Sequence, residues 1–197
     1  MSKMSIDEIK TQLKKVLTEE RYNHTISTVY TAQCLAMRYS CNLEKAKRAA
    51  LLHDCAKCLP REEMFDLAEK AGYRISDIHR KRPDMLHAKV GSYLARVVYG
   101  EDDEDVLNAI RYHTTGRPHM SLLEKIIYLA DYIEPDRKYH EEIVSTRKLA
   151  FMDLDIALEK CLREILEYLR ECNYVIDPAT EETYQHFYNI IYQNMFD

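Results

Sequence analysis

Apolar residues recur every three or four positions along almost the whole chain, and no segment sustains the alternation of a strand. Ile6, Ile9, Leu13, Val16 and Leu17 mark a first helix. Val29, Ala32, Leu35 and Ala36 form the apolar side of a second, Arg21 to Tyr39. Asn42 caps a third, running to about Asp54 through Ala46, Ala49, Ala50 and Leu52. Pro60 breaks the chain, and Arg61 to Ala71 starts again before Gly72. The polar stretch from Gly72 to Pro83 reads as a loop with room for a short helix, and Leu86 to Tyr99 is helical up to Gly100. Glu101 to Glu104 place negative charge where the macrodipole favours it, at the start of a helix reaching about His113. Ser121 and Glu124 resemble a capping box for Leu122 to Ile133, which Pro135 ends. Two longer helices follow, Asp153 to about Cys172 and Pro178 to Met195. The expectation is an all-α fold.

The length of 197 residues suits one helical domain over 1–197, and the 4 Gly and 5 Pro leave helices uninterrupted. No stretch approaches the roughly 20 apolar residues of a bilayer span. The N-terminus lacks the apolar run of a signal peptide, so a cytoplasmic location and no membrane partner are expected. A net charge of -5 supplies no global field for nucleic acid, and no such partner is expected. The basic run His79-Arg80-Lys81-Arg82 reads as a solvated loop. Six cysteines in a reducing compartment read as small core residues. Cys55-Ala-Lys-Cys58 lacks both the strand setting of a redox pair and the second ligand pair of a zinc site.

Histidine and aspartate fall on faces that should be apolar. His24 shares a helical face with Thr28, Thr31 and Leu35, and His53-Asp54 closes an Ala- and Leu-rich helix. His87 is in register with Gly91, Leu94 and Val98, His113 with Val106 and Ile110, and Asp131 with Ile127. Each alone reads more readily as a hydrogen-bonded core or rim residue than as a ligand. Together, near helix ends, they suggest one convergent site, since an ionised Asp54 after Ala-Ala-Leu-Leu-His is costly to bury unpaired. Four imidazoles and two carboxylates without thiolate suit iron, manganese, zinc or a similar divalent ion. Six donors exceed one tetrahedral ion and fit two that share Asp54. Such a pair clamps a phosphoryl group and generates a bridging hydroxide nucleophile. Neither GxGxxG nor GxxxxGK[ST] occurs, so phosphate recognition falls to metals and basic side chains.

The order His24, His53-Asp54, His87, His113, Asp131 resembles the HD superfamily of metal-dependent phosphohydrolases. Four strings resemble its YqeK-like subgroup, symmetrical bis(5'-nucleosyl)-tetraphosphatases that split diadenosine tetraphosphate into two ADP. They are Arg21-Tyr22-Asn23-His24-Thr25, His53-Asp54-Cys55-Ala56-Lys57, Ile110 to Pro118 (IRYHTTGRP) and Leu129 to Arg137 (LADYIEPDR). They imply a metal-binding core over about 21–137, with C-terminal helices at 139–197.

The resemblance implies that His24, His53, Asp54 and Asp131 hold one metal and Asp54, His87 and His113 the other. Iron is the foremost ion implied, with manganese, cobalt or zinc as alternatives, and a small nucleotide is the substrate. Lys57 would reach a phosphate or the bridging water, or else stay solvated as a helix-end lysine. Arg117 would fork phosphate oxygens, with Thr114 and Thr115 donating beside it, and Arg137 is a second phosphate candidate or else a surface partner of Glu134 or Asp136. Two rival readings remain: another HD-type nucleotidase or phosphohydrolase, and a nucleotide-binding regulator with a degenerate metal site. The stripe Tyr184, Tyr188, Tyr192 reads as core packing or as a homodimer contact.

Overall fold

The first N–H groups of a helix have no partner within it, and side-chain oxygens at most of the helix starts supply one. In the computed structural model, which describes residues 2–137 and 141–192, α1 (Ile6–Val16) opens on a capping box of Ser5 and Glu8. α2 (Glu19–Arg38) is capped by Thr18 and α3 (Leu43–Leu52) by Asn42. α4 (Arg61–Lys70) follows Pro60, and α5 (Asp77–Lys81) is a short helix capped by Ser76. A 3-10 turn, Pro83–Leu86, runs into α6 (His87–Val97). Asp103 caps α7 (Glu104–Arg111), and the expected box of Ser121 and Glu124 caps α8 (Leu122–Ile133). α9 (Glu141–Ala150), α10 (Leu154–Glu171) and α11 (Pro178–Tyr192) complete the described chain. The described residues contain no strand.

The helix pattern follows the periodicity with one added helix and several shorter ends, α6 among them, which stops at Val97 rather than Tyr99. α9 was not expected; its Ile143, Val144 and Thr146 are poor helix formers, and tertiary contacts hold it. Ile143 and Ala150 are buried, and Arg147 binds the carbonyls of Ile133 and Glu134. α3 stops at Leu52 and α7 at Arg111, each two residues earlier than expected, which leaves His53, Asp54 and His113 in turns. After Leu52 the chain tightens into successive three-residue turns, with the Cys55 N–H donating to Leu52 O and the Lys57 N–H to Asp54 O. The end expected for the last helix, Met195, lies outside the described residues.

α2 lies against α3 and α8, both of which also meet α7, while α6 packs on α7. α10 covers the far side of α8 and carries α9 and α11. One apolar cluster extends from Ile9 and Leu13 in α1 to Phe187 in α11, so first and last helices share a core. Ile126, Ile127, Leu129 and Ala130 make α8 its axis, all fully buried. Each such Ile or Leu contributes roughly 1.5–3 kcal/mol on burial.

One close approach sets the site. A Cβ at Gly91 of α6 would stand 3.3 Å from His53 O and 3.6 Å from Cys55 Sγ, so α6 seats against the His53–Cys55 turn because position 91 has no side chain. The Cys55 thiol donates to Gly91 O at 3.5 Å, and burial pushes its pKa up, so Cys55 is a packing residue. All six cysteines are free. The basic run lies largely in α5; Arg82 forks Asp84 and covers the Tyr174 ring. Tyr184 is partly buried, whereas Tyr188 and Tyr192 are exposed. Among the described residues no helix is long and apolar enough to cross a membrane.

Candidate metal centre

Five separate segments converge on one point. α2 brings His24, the turn after α3 brings His53 and Asp54, α6 opens with His87, the turn after α7 brings His113, and α8 brings Asp131. All six residues proposed from the sequence as ligands therefore meet. His53, Asp54, His87 and His113 are buried, and His24 and Asp131 are nearly so.

Asp54 is at the centre, and its two oxygens face different histidines. Oδ1 lies 3.2 Å from His87 Nε2 and 3.7 Å from His113 Nε2. Oδ2 lies 3.3 Å from His53 Nε2 and 3.8 Å from His24 Nε2. Asp131 Oδ1 stands 2.9 Å from His24 Nε2 and 3.8 Å from His53 Nε2. The donor atoms of His24, His53 and Asp131 fall within 4.8 Å of one another, as do those of His53, Asp54 and His113.

Backbone carbonyls fix the tautomers of three rings. His53 Nδ1 meets Ala50 O at 2.7 Å, His113 Nδ1 meets Ile110 O at 2.7 Å, and His87 Nδ1 meets Asp84 O. A carbonyl only accepts, so each Nδ1 carries the hydrogen and each ring turns its Nε2 inward. His87 Nε2 and His113 Nε2 then face each other at 3.2 Å as two acceptors. His53 Nε2 faces the Asp54 carboxylate, whose charge raises the His53 pKa against the burial that would lower it, and the buried Nε2 atoms of His24 and His53 are left without a well-formed hydrogen bond. Acceptors that converge like this need a cation between them. The donor set fits divalent metal, with nitrogen and oxygen ligands and outer hydrogen bonds already in place.

The charges are consistent with that demand. Burial alone would push the Asp54 carboxyl up, but the charge of His53 and the contacts of His113, His53 and His87 hold it well below the usual carboxylate range. Burial likewise opposes ionisation of Asp131, and the charge of Arg137 with the contacts of His24 and His53 overcomes it. Burial and the neighbouring His53 and His87 bring His113 down to about 4 against the pull of Asp54, so its imidazole is neutral near pH 7 and free to ligate. Both aspartates therefore stay anionic and ready to coordinate.

Basic groups surround the cluster. Lys57 Nζ lies 3.3 Å from both ring nitrogens of His87. Arg137 Nη2 is 2.9 Å from Asp131 Oδ1, one of the converging carboxylates. Arg21 Nη1 is 2.9 Å from Asp54 Oδ2. Arg21 had no role in the sequence reading, although it stands one helical turn before His24 and so shares its face. A groove of about 1210 Å³ opens beside these residues, lined among others by Arg21, Tyr22, His24, Tyr30 and Arg137.

Arg117 departs from its expected place. Its Nε and Nη2 fork the buried Glu124 carboxylate, and its guanidinium covers the Tyr112 ring, so two of its donors are engaged away from the cluster. The Thr115 hydroxyl donates to Gly116 O, and neither Thr114, Thr115 nor Arg117 lines the groove. The cause is Glu124: the capping-box carboxylate also needs a cation once buried, and the sequence pattern shows only its cap.

The chain matches the HD domain family over residues 21–136. A symmetrical bis(5'-nucleosyl)-tetraphosphatase of Bacillus subtilis is 43% identical over 183 residues, covering 92% of this chain and 96% of the relative. The protein of that name from Halalkalibacterium halodurans is 46% identical over 173 residues, covering 87% and 91% respectively. A crystal structure from Clostridium acetobutylicum, described as a "predicted HD superfamily hydrolase involved in NAD metabolism", has a TM-score of 0.92 at 41% identity, covering 96% of this chain and 100% of the other.

Proposed function

The chain belongs to the HD domain family and is a metal-dependent phosphohydrolase, and from that premise we propose that it cleaves diadenosine tetraphosphate symmetrically into two ADP. The observation that carries the chemistry is Asp54, whose two oxygens each face a different pair of histidines. That is the disposition of a carboxylate shared by two ions. The relatives that bear the activity in their names, matched over nearly their whole length, support the substrate.

In this reading His24, His53, Asp54 and Asp131 hold one ion, and Asp54, His87 and His113 the other. Iron is the ion proposed, with manganese, cobalt and zinc compatible with the same nitrogen and oxygen donors. Two such ions, when bound, lower the pKa of water and neutralise charge on a phosphoryl group. The chain's own residues do the rest. Arg21 and Arg137, at the wall of the groove, present guanidinium groups to phosphate oxygens. Lys57, beside His87, places a third positive charge where oxygen charge grows during cleavage. The bond that breaks joins an inner phosphorus to the central bridging oxygen. Its electron pair leaves with one ADP, and the oxygen of water stays on the other. ADP is a weak enough base to depart without a dedicated acid.

The six free cysteines favour a reducing cytoplasm as the working compartment. A homodimer would bury the exposed faces of Tyr188 and Tyr192.

The test is product analysis with diadenosine tetraphosphate and manganese, iron(II) or cobalt in parallel. ADP is expected as sole product, and Asp54→Ala is expected to slow its formation by at least about 100-fold, equivalent to roughly 3 kcal/mol. ATP with AMP would overturn the cleavage position, and no turnover with any metal would overturn the substrate.

A further inference from the structure

The four site histidines are not oriented alike. His53, His87 and His113 each rest Nδ1 on the carbonyl three residues back. They can do so because each sits at a helix junction, where carbonyls point beyond the regular ladder. His24 lies inside α2 (Glu19–Arg38). Nearby main-chain acceptors there are already used: Arg21 O, three residues back, accepts the Thr25 hydroxyl at 2.9 Å. Its Nδ1 instead meets Glu134 Oε1 at 3.2 Å, a carboxylate only 2% exposed and brought from 110 residues away. Glu134 is itself held on several sides. Its Oε2 accepts the Asp136 N–H at 2.7 Å, and Arg147 of α9 donates to Glu134 O and Ile133 O, each at 2.8 Å.

From these contacts we propose that Glu134 is the positioning residue of the metal site served by His24, and that it sets the affinity of that one ion. With an ion held at Nε2 beside Asp131 and Asp54, the His24 hydrogen would sit on Nδ1, where the Glu134 carboxylate accepts it and fixes the ring. A buried carboxylate held on several sides also fixes the ring more firmly than water would. His24 thus receives from a distant buried carboxylate what the other three receive from their own backbone. The inference rests on the two-metal reading above and concerns metal uptake, which is read without nucleotide.

The experiment titrates metal-free protein with Mn2+ alone, following heat and the electron paramagnetic resonance spectrum. Wild type is expected to take two ions and show a spin-coupled pair. Glu134→Ala is expected to weaken one ion by about 10–100-fold, leave the other unchanged and replace the coupled spectrum by that of isolated Mn2+ at equal loading. Glu134→Gln keeps an acceptor without the charge, and its affinity is expected to fall between the two. In a His24→Ala background, Glu134→Ala is expected to cost no further affinity, because the two act as one unit. Equal weakening of both ions, unchanged affinity in Glu134→Ala, or additive losses in the double variant would each overturn the proposal. A wild-type protein that takes fewer than two ions would overturn the two-metal reading itself.

Discussion

Glu101 carries a buried charge outside the metal centre. It is 1% exposed, and its oxygens accept from Arg48 Nε at 2.5 Å, Lys3 Nζ at 2.6 Å and the N–H groups of Asp102 and Asp103. Burial would raise its pKa, but the contacts of Lys3 and Arg48 hold it below the ordinary value of 4.5. Lys3 is 41% exposed and adds little, whereas Arg48 is nearly buried and would be left unpaired without Glu101. Glu101→Gln is therefore expected to lower the unfolding free energy at pH 7 by about 3 kcal/mol, measured by urea denaturation. A carboxylate with a depressed folded pKa stabilises above its unfolded value and loses that stabilisation as pH falls through the folded value. The gap between wild type and variant should therefore close below about pH 4. A gap that persists unchanged into acid would show that shape rather than charge is what Gln disturbs. At the same scale, Arg21 was legible from its place one turn before His24. Glu134 was not, because its partner lies 110 residues away.

Among the elements, the chain after α7 docks closely against α11. Gly116 has φ +64, and a Cβ there would come within 2.6 Å of Thr183 Cγ2 in α11. Gly116→Ala combines a left-handed penalty with overpacking, an expected loss of about 2–4 kcal/mol. Thr183→Ser removes the clashing methyl, so the double variant should recover the overpacking share and keep the backbone penalty. Thermal melts of the two single variants and the double variant check this, and full recovery would rule out backbone strain. α9 illustrates the opposite dependence. Its middle, Ile143 to Thr146, favours helix weakly, and its position comes from Arg147, Ile143 and Ala150 meeting partners in the rest of the fold.

Across the whole molecule, six inward donors from five segments make metal occupancy a global constraint. Each segment belongs to a different helix or inter-helix turn, so the two proposed ions, bound only by the folded chain, would between them link all five. Such an ion stabilises by about 2.7 kcal/mol when its free concentration is 100 times its Kd. Chelation is expected to lower the melting temperature by several degrees, and Mn2+ to restore it. Asp54→Ala should shrink that metal-dependent shift. If chelation leaves the melting temperature unchanged in the wild type, metal is not bound at the converging donors.

The apolar period marks every long helix except α9, shows no strand, and singles out the six polar residues that meet. These rest on local physics: a three-to-four-residue apolar period, capping side chains, and charged groups too costly to bury apart. How the oxygens of Asp54 divide the histidines, that Glu134 rather than a carbonyl faces His24 Nδ1, and that Arg117 pairs with Glu124 emerge once the helices are packed. A buried polar atom must find a partner wherever the fold offers one. Which partner it finds depends on helices brought together in space from distant parts of the chain, and helical periodicity carries no record of that.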